Sequence, residues 1–123
     1  SLSEGLSIVC ISSIAALQGN QGKVAYCASK AAMDAAVRCM GKELAPKNIR
    51  VNSVLPGLIE TEIYQQFLDK GNQSEDAKMV LARQYMGVGQ PIDVANMVVY
   101  LLSDTARFIS GSNVHLDGGR LSS

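Results

Sequence analysis

The sequence has little cysteine, a single histidine and no excess of either charge, and these shortages exclude several kinds of site. Its three cysteines, Cys10, Cys27 and Cys39, are odd in number and lack Cys-x-x-Cys spacing, which argues against a disulfide framework. Because His115 is the only histidine, a zinc site with the usual nitrogen and sulfur ligands is excluded, and no metal is expected. We interpret the cysteines as reduced thiols, which indicates a cytoplasmic location.

Charge and hydropathy exclude further functions. Eleven basic residues balance eleven acidic ones, so no basic patch predicts binding to nucleic acid or to an anionic membrane surface. The longest apolar runs fall far short of the roughly 18–20 residues that a membrane-spanning helix needs. Residues 1–5 contain no basic stretch followed by an apolar one, so we expect no secretory signal.

What the sequence does contain is the material of one globular domain, because 47% of its 123 residues are hydrophobic. Short β-branched segments predict three strands, the first of them buried on both faces. The predicted strands span about 6–12, 49–55 and 113–117. Since helical patterns separate them, we expect an α/β fold with a parallel sheet and right-handed crossovers.

The helical patterns differ in strength. Alanine-rich spacing predicts a long helix from Val24 to Leu44, which Pro46 ends. A polar, mixed stretch over 60–86 predicts one or two surface helices, split near residues 71 and 72. Pro91 is expected at a first helical position, before an apolar helix over 93–103, and a short helical turn is predicted over 104–110.

Tyr26 and Lys30 lie four residues apart near the start of the long predicted helix, and therefore on one face of it. A tyrosine phenol is a poor acid or base near neutral pH, and a nearby ammonium favours its ionised form. The pair could thus transfer protons. Taken alone, it could also be an ordinary aromatic residue and a solvated lysine at helical spacing.

Two further elements follow predicted strands. Ser13 comes just after the first strand, and in open α/β sheets ligands bind outside the carboxyl ends of the strands. Its other interpretation is ordinary loop capping. The segment Pro56-Gly57-Leu58-Ile59-Glu60-Thr61 follows the second strand, where it could equally be a turn with Thr61 as a helix cap.

Together these elements resemble the short-chain dehydrogenase/reductase family. In that family a strand ends in Ser-Ser, a Tyr-x-x-x-Lys helix follows, and a later strand ends in Asn-x-x-x-Pro-Gly with a threonine soon after. The matching residues here are Ser12-Ser13, Tyr26 with Lys30, and Asn52 to Gly57 with Thr61. Residues 89–95 and the ending at 111–119 fit as well, so the resemblance covers essentially the whole chain.

The resemblance implies a catalytic triad of Ser13, Tyr26 and Lys30 in an NAD(P)-dependent oxidoreductase that interconverts a carbonyl and a secondary alcohol. Tyr26 would be the general acid/base, Ser13 would hydrogen-bond the reacting oxygen, and Lys30 would hold the nicotinamide ribose and tune Tyr26. The implied cofactor is NAD or NADP, and its contacts are expected at Tyr26, Lys30, Pro56, Gly57, Ile59 and Thr61. The implied substrate is a small carbonyl or alcohol compound, and the implied assembly is a homodimer or homotetramer.

The sequence departs from the family in one respect. The glycine-rich turn that binds the cofactor pyrophosphate is absent, as is a fourth catalytic asparagine. Residues 1–123 are therefore expected to form the C-terminal, catalytic half of a Rossmann-type doubly wound domain without its dinucleotide-binding half. The first predicted strand should then lie at an exposed sheet edge.

Two other functions stay open. The chain could be a cofactor-free, catalytically silent module that self-associates, or it could use the Tyr-Lys pair for epimerase or dehydratase chemistry.

With respect to substrate, the resemblance is closest to reductases of 3-oxoacyl thioesters. The segment 60–89 corresponds to the part of the family that covers substrate, and its apolar side chains could line a pocket or pack on the sheet. These side chains are Ile63, Tyr64, Phe67 and Leu68. His115, mid-strand, is expected to serve packing or an interface.

Overall fold

The computed structural model describes residues 5–62 and 75–123, and within them three strands form one parallel sheet in the order β1-β2-β3. The strands are β1 Leu6–Ile11, β2 Ile49–Pro56 and β3 Asn113–Leu116. The α/β class and the parallel sheet are confirmed, and each strand ends within one residue of its predicted end. Because β1 and β2 are neighbours, as are β2 and β3, the carboxyl ends of all three strands meet at one edge.

Three α-helices accompany the sheet within the described ranges. They are α1 Val24–Leu44, α2 Glu75–Arg83 and α3 Pro91–Leu102. The limits of α1 match the prediction, and Pro91 occupies the first turn of α3 as expected. The Asp93 carboxylate accepts the Gln90 main-chain N–H at 2.7 Å and so caps the start of this helix from inside.

Helices α1 and α3 cover opposite faces of the sheet. Consecutive side chains of a strand point to opposite faces. Ser53 contacts Asp34 of α1, whereas its neighbour Val54 packs against Leu101 of α3. Since both faces of β2 are covered, the side chains from Val51 to Leu55 are all buried. The apolar core lies on the α3 side, around Val54, Leu101 and Ala106.

One face of β1 departs from the prediction. We expected a strand buried on both faces, but Leu6 and Ile8 are 50% and 41% exposed. The other face packs on α3, where Val9 joins the core and Ser7 Oγ donates to Leu101 O at 2.9 Å. As predicted, β1 lies at an edge of the three-stranded sheet.

The structure also bears on several smaller predictions from the sequence. His115 is exposed, so the packing role proposed for it is wrong, while an interface role stays a prediction. The helical turn expected over 104–110 is a 3-10 turn at Asp104–Ala106. Of the helices predicted over 60–86, α2 is observed. The side chains that could line the pocket, at positions 63, 64, 67 and 68, lie outside the described residues.

Candidate active site

The carboxyl ends of the three strands are joined by main-chain hydrogen bonds that continue past the strands themselves. Ser12 N donates to Val54 O at 2.8 Å, and Gly57 N donates to Leu116 O at 2.9 Å. The residues after β1 and the residues after β2 are therefore held side by side. This is the edge at which the sequence predicted Ser13 and the Pro56–Thr61 segment to meet.

Ser13 caps the loop after β1 and also lines a cleft. It is the N-cap of a 3-10 turn, Ile14–Leu17, and its Oγ accepts the Ala15 N–H at 3.1 Å. The same residue lines a cleft that also holds Tyr26. Because the oxygen accepts from the main chain, the hydroxyl proton can still donate into the cleft.

Tyr26 is flanked by two ammonium groups on the first turns of α1. Lys30 Nζ lies 5.7 Å from the centre of the Tyr26 ring, and Lys23 Nζ lies 5.6 Å from it. Tyr26 is 47% exposed, so its phenol is accessible from the cleft. Both cations lie over the Tyr26 ring, although only Lys30 was picked out from the sequence.

Lys30 is anchored to the end of β1. Its Nζ donates to Ile11 O at 3.4 Å, and its own carbonyl oxygen accepts from Ser12 Oγ at 3.4 Å. These contacts fix the first turns of α1 against the strand end. Lys30 therefore lies beside the cleft rather than in its lining, where it can act on Tyr26 and on groups bound next to it.

A buried polar chain fixes the next turns of α1 to the sheet. Ser53 Oγ donates to Asp34 Oδ1 at 2.9 Å and accepts from Asn113 Nδ2 at 2.7 Å, and Asn113 Oδ1 accepts from Arg38 Nη1 at 2.7 Å. Asp34 is 4% exposed, and its Oδ2 has no hydrogen-bond partner within the described ranges. Side-chain bonds to both β2 and β3 thus orient the helix that carries Tyr26 and Lys30.

The cleft has a volume of about 450 Å³. Its lining includes five of the residues predicted for the site, namely Ser13, Tyr26, Gly57, Ile59 and Thr61. Pro56 and Lys30 are not part of the lining. Residues that the sequence did not single out also line it, among them Gln18, Asn20, Lys23, Val80 and Arg120.

Gln84 is a residue of the site that the sequence did not reveal. Its Oε1 accepts the Leu58 N–H and its Nε2 donates to Leu58 O, each at 2.9 Å, while Nε2 also donates to Gly87 O at 2.7 Å. The amide thus pairs with the Leu58 main chain as a neighbouring strand would, and it is 3% exposed. A lone glutamine just after a polar helix carries no sequence signal for such a role.

The main-chain N–H and C=O of Ile59 point to the side opposite its bridge with Gly89. It forms a parallel bridge with Gly89, in which Gly89 N donates to Leu58 O at 3.0 Å and Glu60 N donates to Gly89 O at 2.8 Å. In a parallel bridge of this kind, the bonds use the residues before and after Ile59, so its own N–H and C=O point the opposite way. Ile59 lines the cleft, and on this side its C=O also accepts from Thr61 Oγ1 at 3.4 Å, which leaves the second lone pair of that oxygen for another donor.

Two further searches concern metals and membranes. Over residues 5–62 and 75–123, no group of three or more His, Cys, Asp or Glu side chains could hold a metal ion. No helix in this part of the chain is long and apolar enough to cross a bilayer.

Comparisons with known proteins agree with this geometry. Residues 1–120 match the family model described as enoyl-(acyl carrier protein) reductase. The chain is 37% identical over 113 residues to 3-oxoacyl-(acyl-carrier-protein) reductase FabG of Thermotoga maritima, covering 92% of this chain and 44% of the relative. It is 43% identical over 113 residues to cyclopentanol dehydrogenase of a Comamonas species, covering 91% and 44%.

A solved structure is also similar to this chain, in both sequence and fold. The structure of 4-hydroxyisoleucine dehydrogenase complexed with NADH superimposes with a TM-score of 0.86 at 36% identity, covering 95% of this chain and 47% of that one. The chain thus spans less than half the length of these relatives. The Ser-Tyr-Lys arrangement, the parallel sheet and these matches agree, and the chain belongs to the short-chain dehydrogenase/reductase family.

Proposed function

We propose that this chain is the catalytic half of an NAD(P)-dependent oxidoreductase that interconverts a carbonyl and a secondary alcohol by hydride transfer. The observation that carries the proposal is that Ser13 and Tyr26 line one cleft, while Lys30 Nζ lies 5.7 Å from the Tyr26 ring. A proton-transferring phenol, a hydroxyl donor and a flanking cation are the groups that carbonyl reduction requires.

Each of these side chains has a distinct role in the proposed reaction. Tyr26 gives its phenolic proton to the substrate oxygen during reduction and removes it during oxidation. Ser13 donates a hydrogen bond to the same oxygen and stabilises the charge that develops there. Lys30, held by Ile11 O, keeps positive charge beside the phenol in both directions.

The described residues fit the nicotinamide end of the cofactor. A carboxamide has one donor group and one acceptor group, and Ile59 presents a complementary N–H and C=O on the cleft side of its bridge. Gly57 and Thr61 line the same wall, and Pro56 shapes the turn that precedes them. Lys30 would hold the ribose hydroxyls beside Tyr26. When bound, NAD or NADP supplies the hydride, and the protein supplies orientation and charge.

The partners of the whole protein are proposed on the same grounds. Relatives named as a 3-oxoacyl thioester reductase and as alcohol dehydrogenases support a small carbonyl or alcohol substrate. A homodimer or homotetramer is the proposed assembly. The three cysteines are unpaired, which supports a reducing, cytoplasmic location.

The test is a comparison of Tyr26→Phe with the unaltered protein. Oxidation of NADH and of NADPH is followed by absorbance with a panel of ketones, and cofactor binding is measured separately by calorimetry. We expect turnover to fall by about 10²–10⁴-fold, the usual contribution of general acid–base catalysis, while cofactor affinity is retained.

Tyr100→Phe is the matched control, because Tyr100 is a partly exposed tyrosine on α3 outside the cleft. It should leave turnover unchanged. Normal turnover in Tyr26→Phe would remove the role proposed for Tyr26, whatever its effect on stability.

A further inference from the structure

The lining of the cleft that holds Tyr26 carries positive charge. Two of its described lining residues, Lys23 and Arg120, carry positive charge, and none of the described lining residues is a carboxylate. A cleft lined by one sign of charge raises the local concentration of ligands of the opposite sign. The lining therefore favours a ligand that is anionic.

The position of Arg120 is set by a turn in which the carboxylate of Asp117 accepts main-chain hydrogen bonds. After β3 the chain turns through Gly118 and Gly119, whose φ angles are 58° and 87°. Asp117 Oδ1 accepts Gly119 N–H at 3.1 Å and Oδ2 accepts Leu121 N–H at 2.9 Å. Both oxygens of Asp117 thus hold the turn, and neither accepts a hydrogen bond from the guanidinium of Arg120.

The guanidinium of Arg120 is left with an unsatisfied buried donor. Its Nε is buried and has no hydrogen-bond partner among the residues that the structure describes. More than nine-tenths of buried polar groups in proteins are hydrogen-bonded, and a buried charged donor without a partner is costly. The geometry around Arg120 therefore calls for an acceptor, and an anionic one satisfies both the hydrogen bond and the charge.

A second arginine, Arg83, adds positive charge beside Arg120. Arg83 and Arg120 both line a shallow cavity of about 340 Å³, together with Gln18 and Leu121. Arg83 is fixed by bonds from Nε to Ser123 Oγ at 3.1 Å and from Nη2 to Ser123 O at 3.2 Å. Burial first, and then the charge of Arg83, lower the pKa of Arg120, while Asp117 acts in the opposite direction.

We propose that Arg120 is an anion-binding residue of the active-site cleft and that it takes a carboxylate or phosphate group of the substrate. The inference rests on the proposed function and narrows it, because the substrate becomes a carbonyl compound or alcohol that carries an anionic group. Arg120 binds that group, and Ser13 and Tyr26 act on the oxygen at the other end. Arg83 contributes charge without direct contact.

A binding experiment tests the anion site without turnover. Succinate and inorganic phosphate are titrated separately by calorimetry into the unaltered protein, Arg120→Gln and Arg107→Gln. Arg107 is an exposed arginine outside the cleft. Hydrogen bonds to charged groups contribute about 1.5–3 kcal/mol, so Arg120→Gln should weaken binding by about 10–100-fold, and Arg107→Gln should leave it unchanged. Equal affinity in all three proteins overturns the site.

A kinetic experiment decides whether the anion belongs to the substrate. The KM of a 3-oxo acid is compared with that of its methyl ester, which has no charge. Arg120→Gln should raise the KM of the acid by at least about 10-fold and leave that of the ester unchanged. Equal changes for acid and ester, even with phosphate bound at Arg120, would overturn the substrate assignment in favour of a free-anion site.

The two proposals fail in different ways. If the unaltered protein turns over neither acid nor ester, the proposed function fails, while the titrations still decide the anion site. Arg120→Lys keeps the charge and covers the case in which Arg120→Gln does not fold. Its anion affinity should lie between that of the unaltered protein and that of Arg120→Gln. If Arg120→Lys binds the anions no better than Arg120→Gln, or not at all, the site does not depend on charge and the proposal is contradicted.

Discussion

At the residue scale, Lys30 combines a structural and a chemical role. Its side chain spans from α1 to the end of β1, where Nζ donates to Ile11 O, and it lies 5.7 Å from the ring of Tyr26. The same ammonium therefore fixes the helix start and supplies charge beside the phenol. Lys23 lies at 5.6 Å from that ring but is exposed and makes no such anchor to the strand.

Replacing Lys30 should therefore weaken both cofactor binding and catalysis. We expect Lys30→Ala to lower the affinity for NADH or NADPH by about 10–100-fold, as lost hydrogen bonds to a charged group do, and to lower turnover as well. Calorimetry measures the affinity and absorbance measures the turnover. Lys42→Ala, an exposed lysine at the far end of α1, is the control. Unchanged cofactor affinity in Lys30→Ala would contradict the ribose contact.

The residues of the proposed reacting centre could be picked out from the sequence because their signals are local. Tyr26 and Lys30 share a helix face at four-residue spacing, and Ser13 follows directly on a strand. Gln84 and Arg120 could not be predicted, since each reaches the cleft only through tertiary folding. Gln84 meets Leu58, which is 26 residues away, and Arg120 depends on a glycine turn around Asp117.

At the scale of elements, the segment after β2 depends on α2 for its shape. Pro56 still pairs with Leu116 of β3; beyond it the segment is held by the Gly57 N–H bond to Leu116 O and by the Ile59 bridge to Gly89, and the amide of Gln84 pairs with Leu58. Gly57 allows this approach, because a Cβ there would lie 2.6 Å from Gln84 Oε1. The wall of the cleft that contains Leu58 and Ile59 is thus held by a side chain.

Removing that amide should loosen the wall. We expect Gln84→Ala to lower the free energy of unfolding by about 1–3 kcal/mol, because the half-buried Leu58 N–H loses its acceptor while Leu58 O keeps only the bond from Gly89 N. It should also raise the KM for the cofactor, since Ile59 follows directly. Urea denaturation followed by circular dichroism measures the first effect and steady-state kinetics the second.

Gln21→Ala is the matched control, because Gln21 is an exposed glutamine in the loop before α1. A surface substitution of this kind should change stability by less than about 0.5 kcal/mol. If Gln84→Ala and Gln21→Ala behave alike, the amide does not hold the segment.

The elements themselves were largely predictable, and the errors have physical causes. Alanine-rich spacing and Pro46 defined α1, and alternation of strands and helices defined the parallel sheet. The apolar residues of β1 indicated burial on both faces, yet Leu6 and Ile8 face no covering helix. Composition reports what a strand can bury, whereas the cover depends on elements from elsewhere in the fold.

At the scale of the whole molecule, β1 lies at an edge of the sheet that residues 5–62 and 75–123 form. It pairs with β2 on one side, and Leu6 and Ile8 are half exposed on its uncovered face. An unpaired strand edge with apolar side chains invites pairing with another chain. The self-association that the sequence suggested for a silent module therefore has a structural basis that is independent of catalysis.

The isolated 123-residue chain should associate in proportion to its concentration. We expect Ile8→Lys to reduce that association, because a charge on an edge strand opposes pairing, while Gln21→Lys, with the same charge in an exposed loop, should not. Sedimentation velocity over a concentration series measures the effect. A monomer at every concentration would show that this edge drives no assembly.

The central claim is that the cleft of Ser13 and Tyr26 supports hydride transfer to a carbonyl carbon. The most direct test is to supply the protein with NADH or NADPH deuterated at the transferring position and a ketone, and to analyse the product by mass spectrometry. The account predicts one deuterium on the carbinol carbon of the product, and no detectable product with Tyr26→Phe. A product without deuterium, or equal labelling with Tyr26→Phe, would contradict it.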